Sequence, residues 1–125
     1  MPSTRTVGDL GESLACAALE RRGYQIVERN WRPRLWDTRG EIDIVARDGD
    51  CWAFVEVKTR RGHRTGLPEE AMTPRKLATV TELAQAYLYE RSLGNVNWRV
   101  DLVAIELDGR GRVRRLNIVP ALALE

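Results

Sequence analysis

Two short segments of the chain hold polar residues inside apolar runs. The first is GEID (residues 40–43), which ends at Asp43, and the second is FVEVKTR (residues 54–60), which contains Glu56 and Lys58. Residues two apart in a β-strand point to the same face, so Glu56 and Lys58 would project together. Carboxylates in a mostly buried sheet are costly unless their charge is compensated. Because Mg²⁺ and Mn²⁺ prefer oxygen ligands, the pattern predicts a metal site at Asp43 and Glu56.

The DGD turn at residues 48–50 allows three hairpin registers between these segments. A tip formed by the last two residues of the turn sets Asp43 directly opposite Glu56, with Cβ atoms about 5 Å apart. A three-residue loop opposes Asp43 to Val55, and a tip formed by the first two residues opposes it to Phe54. Only the first register places both carboxylates opposite each other on one face.

Lys58 supplies a positive charge beside the two acids. Its ammonium would offset their negative charge and could orient or deprotonate a metal-bound water. The backbone carbonyl of Val57 lies between the Glu56 and Lys58 side chains and is a further candidate ligand. A metal that contacts a phosphate oxygen and lowers the pKa of the attacking water is the usual route to phosphodiester hydrolysis. The alternative is a surface ion pair between Glu56 and Lys58 with no chemical role.

Glu12 is a third acidic candidate. A helix predicted over residues 8–22 places Glu12 near Ala15, Cys16 and Leu19, at the edge of its apolar arc. A carboxylate aimed at the sheet needs a reason, and ligation of the metal or of its water is one. Stabilisation of an acid by the N-terminal end of the helix dipole is the alternative, and the sequence favours neither.

A basic stretch follows the predicted site. Residues 58–64 (KTRRGHR) carry four fixed positive charges, where a phosphate backbone would have to be held. A solvated charged loop is the alternative. Asp101 is expected to pair with an arginine rather than with metal. The residues predicted from the sequence to contact nucleic acid are Arg32, Arg60, Arg61, His63, Arg64 and Arg99.

The overall charge does not indicate a nucleic-acid-binding protein, because 20 basic and 18 acidic residues give a net charge of only +2. Of the basic residues, only Lys58 and Lys76 are lysine. A position that keeps lysine could need its compact ammonium, which arginine does not supply. Chance is the alternative, and for Lys76 it is the simpler one.

The elements that must position these residues follow from hydrophobic periodicity. Residues 51–59 are nearly continuous in apolar side chains, so this strand is expected to be central. The order α-β-β-β-α-β-β predicts one α/β domain over residues 1–125 with a mixed sheet. The predicted parts are a loose N-terminus (1–7), helices at 8–22 and 74–92, strands at 24–31, 41–47, 51–59, 98–107 and 112–119, and a basic loop at 60–68.

Length and composition limit the class of protein. A chain of 125 residues can bury a core without cross-links, and its two cysteines, Cys16 and Cys51, exclude a disulfide scaffold. No apolar run approaches the roughly 20 residues of a membrane span, and the first twelve residues lack the apolar core of a signal peptide. We therefore expect a cytoplasmic protein with free thiols and no membrane partner.

Several ordered motifs resemble the YraN-like family of small bacterial proteins. They are GxxGExxA (residues 8–15), NWR (30–32), GEID, FVEVKTR, Lys76 and RVDLVAI (99–105). That family is similar to the PD-(D/E)xK nuclease superfamily, which implies a restriction-endonuclease-like αβββαβ core with a mixed central sheet flanked by helices. By this likeness Asp43, Glu56 and Lys58 match metal and catalytic positions. Glu12 matches an extra helical acid of archaeal Holliday junction resolvases.

The resemblance implies an endonuclease that depends on Mg²⁺ or Mn²⁺ and acts on DNA, with branched or single-stranded regions as candidate substrates. Lys76 joins the nucleic-acid-binding candidates through its match to the family pattern. Two features depart from the superfamily: Ile42 replaces the proline of the nominal motif, and the connection at residues 33–39 is longer than usual.

Two alternatives to the enzyme remain. One is a non-catalytic nucleic-acid-binding adaptor that keeps the nuclease fold, and the other is a protein-interaction domain with a surface ion pair. A homodimer would suit a symmetric DNA junction, although nothing in the sequence demonstrates one.

Overall fold

The computed structural model describes residues 4–35, 39–62 and 66–120, with side chains from residue 7 onward. Its elements follow the predicted order α-β-β-β-α-β-β, with one short 3₁₀ helix that the sequence did not predict. They are α1 (Thr4–Arg21), β1 (Gln25–Trp31), β2 (Ile42–Asp48), β3 (Cys51–Arg61), the 3₁₀ helix (Pro68–Ala71), α2 (Pro74–Glu90), β4 (Asn97–Leu107) and β5 (Val113–Val119).

The five strands form one mixed sheet in the order β1-β2-β3-β4-β5. The β3–β4 pair is parallel and the other three pairs are antiparallel. A parallel pair needs a crossover connection, which here contains α2. β3 is the middle strand, as its apolar run predicted. The architecture is consistent with the restriction-endonuclease-like core that the sequence led us to expect.

The two helices pack against opposite faces of the sheet. Adjacent residues on β2 show this, because Ile44 packs with α1 and Val45 packs with α2. At the start of α2, Thr73 accepts a hydrogen bond from the Lys76 N–H at 3.2 Å, and Pro74 is the first helical residue, as predicted. This cap fixes where α2 begins relative to the sheet, and therefore where its first turn presents its side chains.

Three boundaries differ from prediction. α1 begins at Thr4, so the prediction of a loose N-terminus is wrong for residues 4–7, while residues 1–3 lie outside the described residues. Val7 packs against the apolar cluster beneath α1, which accounts for the longer helix. β3 continues to Arg61, so Arg60 and Arg61 belong to a strand rather than to a loop. They pair with Glu106 and Leu107 of β4, which is as long as β3.

The connection after β1 is fastened to the C-terminal end of α2. The backbone N–H groups of Arg34 and Leu35 both donate to the Glu90 carboxylate at 2.9 Å. Residues 36–38 of this connection lie outside the described residues. In the ranges that the structure does describe, no helix is both long enough and apolar enough to cross a membrane.

Candidate active site

The β2–β3 hairpin has the register that the metal hypothesis required. Asp48 pairs with Cys51, so the tip consists of Gly49 and Asp50, with Gly49 in the left-handed conformation at φ 61°. Regular pairing ends at Ile44 and Val55, which adjoin Asp43 and Glu56, and the charge of Glu56 acts on the Asp43 carboxyl group. The sequence allowed three registers, and the structure confirms the one that brings the two acids together.

The regular pairing and side-chain alternation of the hairpin end at Asp43. The last recorded pair joins Ile44 to Val55, and beyond it the Val57 N–H donates to the Asp43 carboxylate at 2.8 Å. Ile42 packs on the α2 side although Ile44 packs on the α1 side, whereas a regular strand would place both on one face. The alternation therefore breaks at Asp43, whose carboxylate accepts a hydrogen bond from the β3 backbone.

Asp43 has an unfavourable electrostatic environment. Burial and the charge of Glu56 raise the pKa of Asp43 from 3.8 to about 8, and the Val57 N–H opposes part of the rise. The charge of Glu12 and a hydrogen bond to the Glu56 carboxyl raise the pKa of Asp43 further. Two adjoining carboxyl groups resist simultaneous ionisation unless a positive charge joins them.

Lys76, at the start of α2, supplies such a charge. The sequence did not predict its contact with Glu56. Its Nζ lies 3.0 Å from Glu56 Oε2, and the Glu56 side chain is only 15% exposed. Lys58 and Lys76 line one pocket of about 210 Å³ together with Glu56. The remaining lining residues are Ala71, Met72 and Leu102. Both lysines of the chain therefore meet at the predicted site.

Glu12 approaches the site from the other face of the sheet. A Cβ atom on Gly11 would lie 2.0 Å from Thr59 Oγ1, so α1 rests closely on β3 at this point. The Glu12 carboxylate accepts hydrogen bonds from Asn30 Nδ2 at 3.0 and 3.2 Å, and Arg29 lies 3.4 Å away. These partners come from β1 and hold the carboxylate where its charge acts on Asp43.

The predicted metal site included three acidic side chains, those of Asp43, Glu56 and Glu12. Throughout residues 4–35, 39–62 and 66–120, no three histidine, cysteine or acidic side chains form a group that could hold a metal ion. Asn30 and Arg29 engage the Glu12 carboxylate in this geometry, and its ligation of metal together with Asp43 and Glu56 stays a prediction. Glu12 affects Asp43 through its charge.

Two carboxylates nevertheless fit a hard cation. Mg²⁺ is commonly bound through one or two carboxylates and keeps several waters. The N–H and C=O groups of one strand residue point to the same side, so the Val57 carbonyl faces β2, as its N–H does. Asp43, Glu56 and the Val57 carbonyl thus offer oxygen atoms on adjoining strands, and Glu12 can hold a coordinated water.

Arg99 does not suit its predicted contact with phosphate. Its guanidinium donates to Asp101 at 2.9 Å, to Asp48 at 2.8 Å and to the Tyr24 hydroxyl at 2.7 Å. The side chain is only 15% exposed, and it pairs beside Ala53, three residues or roughly 10 Å before Glu56 along β3. Arg99 is engaged by the buried Asp101 and by the half-exposed Asp48, and Asp101 pairs with an arginine as expected.

The other predicted nucleic-acid contacts differ in how accessible they are. Arg32 is 71% exposed, with Glu41 3.4 Å away. Arg61 donates to the Gly109 carbonyl, and Arg60 is half-buried, with an Nε atom that has no hydrogen-bond partner among the described residues. Lys76 contacts Glu56 instead of standing free. His63 and Arg64 lie outside the described residues.

Sequence reasoning missed two parts of the site. The first is the Lys76 contact with Glu56, for which the rarity of lysine was the only compositional signal. The second is Asn30, which holds Glu12 and adopts a left-handed conformation at φ 54°. Its membership of the NWR motif was the only sign of a role, because nothing local to β1 indicates which residue of α1 it meets.

Comparison with known proteins places these residues in a wider group. A family model described as "Uncharacterised protein family UPF0102" matches residues 11–105. The chain is 44% identical over 111 residues to a UPF0102 protein of Syntrophus aciditrophicus, covering 89% of this chain and 84% of the relative. It is 44% identical over 123 residues to one of Roseiflexus castenholzii (96% and 95%) and 46% identical over 103 residues to one of Geobacter sulfurreducens (82% and 77%).

Proposed function

The chain belongs to the uncharacterised protein family UPF0102, and we propose that it is a divalent-metal-dependent DNA endonuclease that hydrolyses phosphodiester bonds. The observation that carries the proposal is the meeting of Asp43 and Glu56 where the recorded β2–β3 pairing ends, with Lys58 and Lys76 beside them. Burying two adjoining acids is unfavourable unless a cation compensates them. A purely structural site gains nothing from that arrangement.

Each side chain has a definite part in the proposed reaction. Asp43 and Glu56 bind the cation, the Val57 N–H fixes the Asp43 carboxylate, and the Val57 carbonyl is a further ligand. A bound Mg²⁺ or Mn²⁺ lowers the pKa of a coordinated water and offsets charge on the phosphate. Lys58 projects on the same face as Glu56 and orients the attacking water. Glu12 holds a second water on the α1 side of the sheet.

The proposed substrate is DNA with branched or single-stranded regions. Support comes from the positive side chains near the acids: Arg60 and Arg61 continue β3 beyond Lys58, and Arg32 lies exposed just after β1. Contacts of this kind bind phosphate irrespective of base sequence. They position a strand near the acids without selecting a sequence, which suits an enzyme that recognises the shape of DNA.

The direct test is cleavage of defined DNA by the purified full chain. Junction, flap, single-stranded and duplex substrates are incubated with Mn²⁺ or Mg²⁺ and with EDTA. We expect metal-dependent cleavage of at least one substrate, with losses of 100-fold or more in Asp43→Ala and Lys58→Ala. Glu41→Ala is the matched control, because Glu41 lies just before β2 and is paired with exposed Arg32. Its activity should stay within about twofold of wild type.

Other outcomes point to the alternatives. No cleavage of any substrate, or cleavage that persists unchanged in both variants, contradicts the enzyme proposal. DNA binding without cleavage that survives Asp43→Ala indicates an adaptor that keeps the nuclease fold. Binding of neither DNA nor Mn²⁺, the latter measured by calorimetry, indicates an interaction domain with a surface ion pair.

A further inference from the structure

Glu56 has a partner on each side. Toward β2 its charge acts on the Asp43 carboxyl group, and toward α2 its Oε2 lies 3.0 Å from Lys76 Nζ. The Lys76 side chain is 43% exposed and extends from the first turn of α2 over the edge of the pocket. In this arrangement the Lys76 ammonium is the positive charge that Glu56 contacts.

An ammonium at Oε2 and a divalent cation between Asp43 and Glu56 would compete for the same carboxylate. Like charges a few ångströms apart repel each other, and Glu56 is too buried for water to screen them fully. Lys76 has a long, flexible stem and partial exposure, so it can leave while Glu56 stays on its strand. The pocket beside it already contains the second ammonium, that of Lys58.

We propose that Lys76 is the counter-ion of Glu56 in the metal-free protein, and that its release upon metal binding creates, with Lys58, a subsite for a phosphate group. This inference rests on the proposed metal site and goes beyond it, because it makes phosphate binding depend on metal. Two ammonium groups suit a phosphate as point charges. Without metal, the Glu56 carboxylate holds the Lys76 ammonium, so this ammonium is not free to bind a phosphate in the same pocket.

The pocket has the composition such a subsite needs. Its polar side chains are the two lysines and Glu56, and its other walls are the apolar Ala71, Met72 and Leu102. The walls limit access of water and so strengthen the attraction between ammonium and phosphate. The Glu69–Arg115 ion pair, with Oε1 and Nη2 2.8 Å apart, fastens the 3₁₀ helix that carries Ala71 to β5.

The scarcity of lysine makes the proposal directly observable. With ¹³C-labelled lysine, the full chain gives only two side-chain ε signals in an NMR spectrum, which are assigned by Lys58→Arg and Lys76→Gln. Addition of saturating Mg²⁺ should shift the Lys76 signal as its contact with Glu56 breaks. Inorganic phosphate should then shift both signals in the Mg²⁺-loaded protein. The shifts should be at least fivefold smaller at the same phosphate concentration without Mg²⁺.

Calorimetric titration of Mn²⁺ measures the competition separately. Lys76→Gln should bind Mn²⁺ roughly two- to fivefold more tightly than wild type, because the metal no longer has to break a half-exposed ion pair, and such pairs are weak. Arg75→Gln is the matched control, because it removes an exposed positive charge from the neighbouring position on α2. Its affinity should equal that of wild type. An equal gain in both variants would indicate a general charge effect and would overturn the specific role of Lys76.

A second ligand distinguishes a phosphodiester within a DNA strand from a terminal or released phosphate. A thymidine dinucleotide carries one phosphodiester and no terminal phosphate. Lysine shifts with this dinucleotide assign the subsite to a DNA strand, whereas shifts with inorganic phosphate alone assign it to a terminal or released phosphate. No shift with either ligand in the metal-loaded protein overturns the subsite.

Failure of this inference is distinguishable from failure of the proposed function. If Mn²⁺ and Mg²⁺ do not bind at all, the metal site itself is wrong. If metal binds but the Lys76 signal stays unchanged and Lys76→Gln leaves the affinity equal or lower, only the role of Lys76 is wrong. Circular dichroism of Lys76→Gln verifies that α2 remains folded.

Discussion

Asp43 shows how a single side chain can be unfavourable for folding and useful for chemistry. Its carboxyl group is largely buried, lies beside Glu56 and, among the described residues, accepts a single backbone hydrogen bond, from the Val57 N–H. Glu12 adds negative charge from α1, and the Lys76 ammonium is paired with Glu56. The metal-free protein should therefore keep a proton on this pair of acids over much of the neutral range.

The first prediction concerns the pH dependence of stability without metal. Because the pKa of Asp43 rises on folding from 3.8 to about 8, its protonation stabilises the fold fully below pH 4. This contribution is lost as the pH rises toward 8. Asp43→Asn removes the charge and should unfold with a free energy roughly 1–3 kcal/mol higher than wild type at pH 9, with little difference at pH 5.

Urea unfolding in EDTA at both pH values measures this difference. Glu41→Gln is the control for loss of an acid nearby, and it should show no comparable gain at pH 9. Adding Mg²⁺ at pH 9 should raise the melting temperature of wild type but not that of Asp43→Asn. A variant less stable than wild type at pH 9 would contradict the electrostatic account.

The second prediction separates a structural arginine from a DNA-binding one. Asp101 is fully buried, and Arg99 is its recorded ion-pair partner. Arg99→Ala leaves that carboxylate without its guanidinium, so we expect a loss of about 3 kcal/mol in the free energy of unfolding. Mn²⁺ affinity at 10 °C should stay within twofold of wild type, because Arg99 is remote from Glu56. A stable Arg99→Ala variant with weakened DNA binding would restore the original phosphate-contact interpretation.

At the scale of elements, the site depends on how closely α1 rests on β3. Gly11 is buried at that contact, and the helix brings Glu12 to the acids one residue later. A helix normally favours alanine over glycine by about 1 kcal/mol. At residue 11 the approach to Thr59 reverses this preference, so the glycine serves packing between elements rather than the conformation of the helix.

The third prediction tests that contact. Gly11→Ala should lower the free energy of unfolding by roughly 1–3 kcal/mol, because its Cβ would overlap Thr59 Oγ1. Gly8→Ala on the same helix meets nothing within 4 Å and should be neutral or slightly stabilising. The double variant Gly11→Ala with Thr59→Ala removes the obstructing oxygen and should recover most of the loss. Equal effects of the two glycine substitutions in thermal unfolding would contradict the packing argument.

The 3₁₀ helix is the element that the sequence did not predict. Its four residues are too few for periodicity to reveal. Its position depends on Glu69, which receives two hydrogen bonds from Arg115 and one from Asn117, both on β5. These contacts lower the pKa of Glu69 to about 2, chiefly through the hydrogen bonds from Arg115. The partner is 46 residues away, so no local pattern could predict the contact.

At the scale of the whole molecule, the net charge conceals a separation of charge. The net charge of +2 is small because local charges cancel. Acids are present at Asp43, Glu56 and Glu12, and arginines follow on β3 beyond Lys58. The sheet lies between the two helices, so α1 adds an acid on one side and α2 adds a lysine on the other. The location in the cell and the oligomeric state stay predictions.

The fourth prediction concerns salt dependence of DNA binding by the intact chain. Arg60→Ala combined with Arg61→Ala should weaken binding at least tenfold at 100 mM salt. Each lost phosphate contact should reduce the magnitude of the slope of log affinity against log salt by about 0.7–0.9. Arg22→Ala is the control, because Arg22 lies near Arg99 at the other end of the sheet. Fluorescence anisotropy measures the slopes, and an unchanged slope in the double variant would contradict strand binding along β3.

The sequence by itself determined the order of the elements and the central position of β3, and it limited the β2–β3 hairpin to three registers, of which the structure selected one. These features follow from periodicity, apolar content and turn chemistry, which act over a few residues. Tertiary structure alone decided that Lys76 meets Glu56, that Asn30 holds Glu12 and that Arg99 is engaged by Asp48 and Asp101. Each of these contacts except Arg99–Asp101 joins residues far apart in the chain. The contacts of Lys76 and Asn30 depend on how the helices pack on the sheet, and the Arg99–Asp48 contact depends on the order of the strands, which no local pattern encodes.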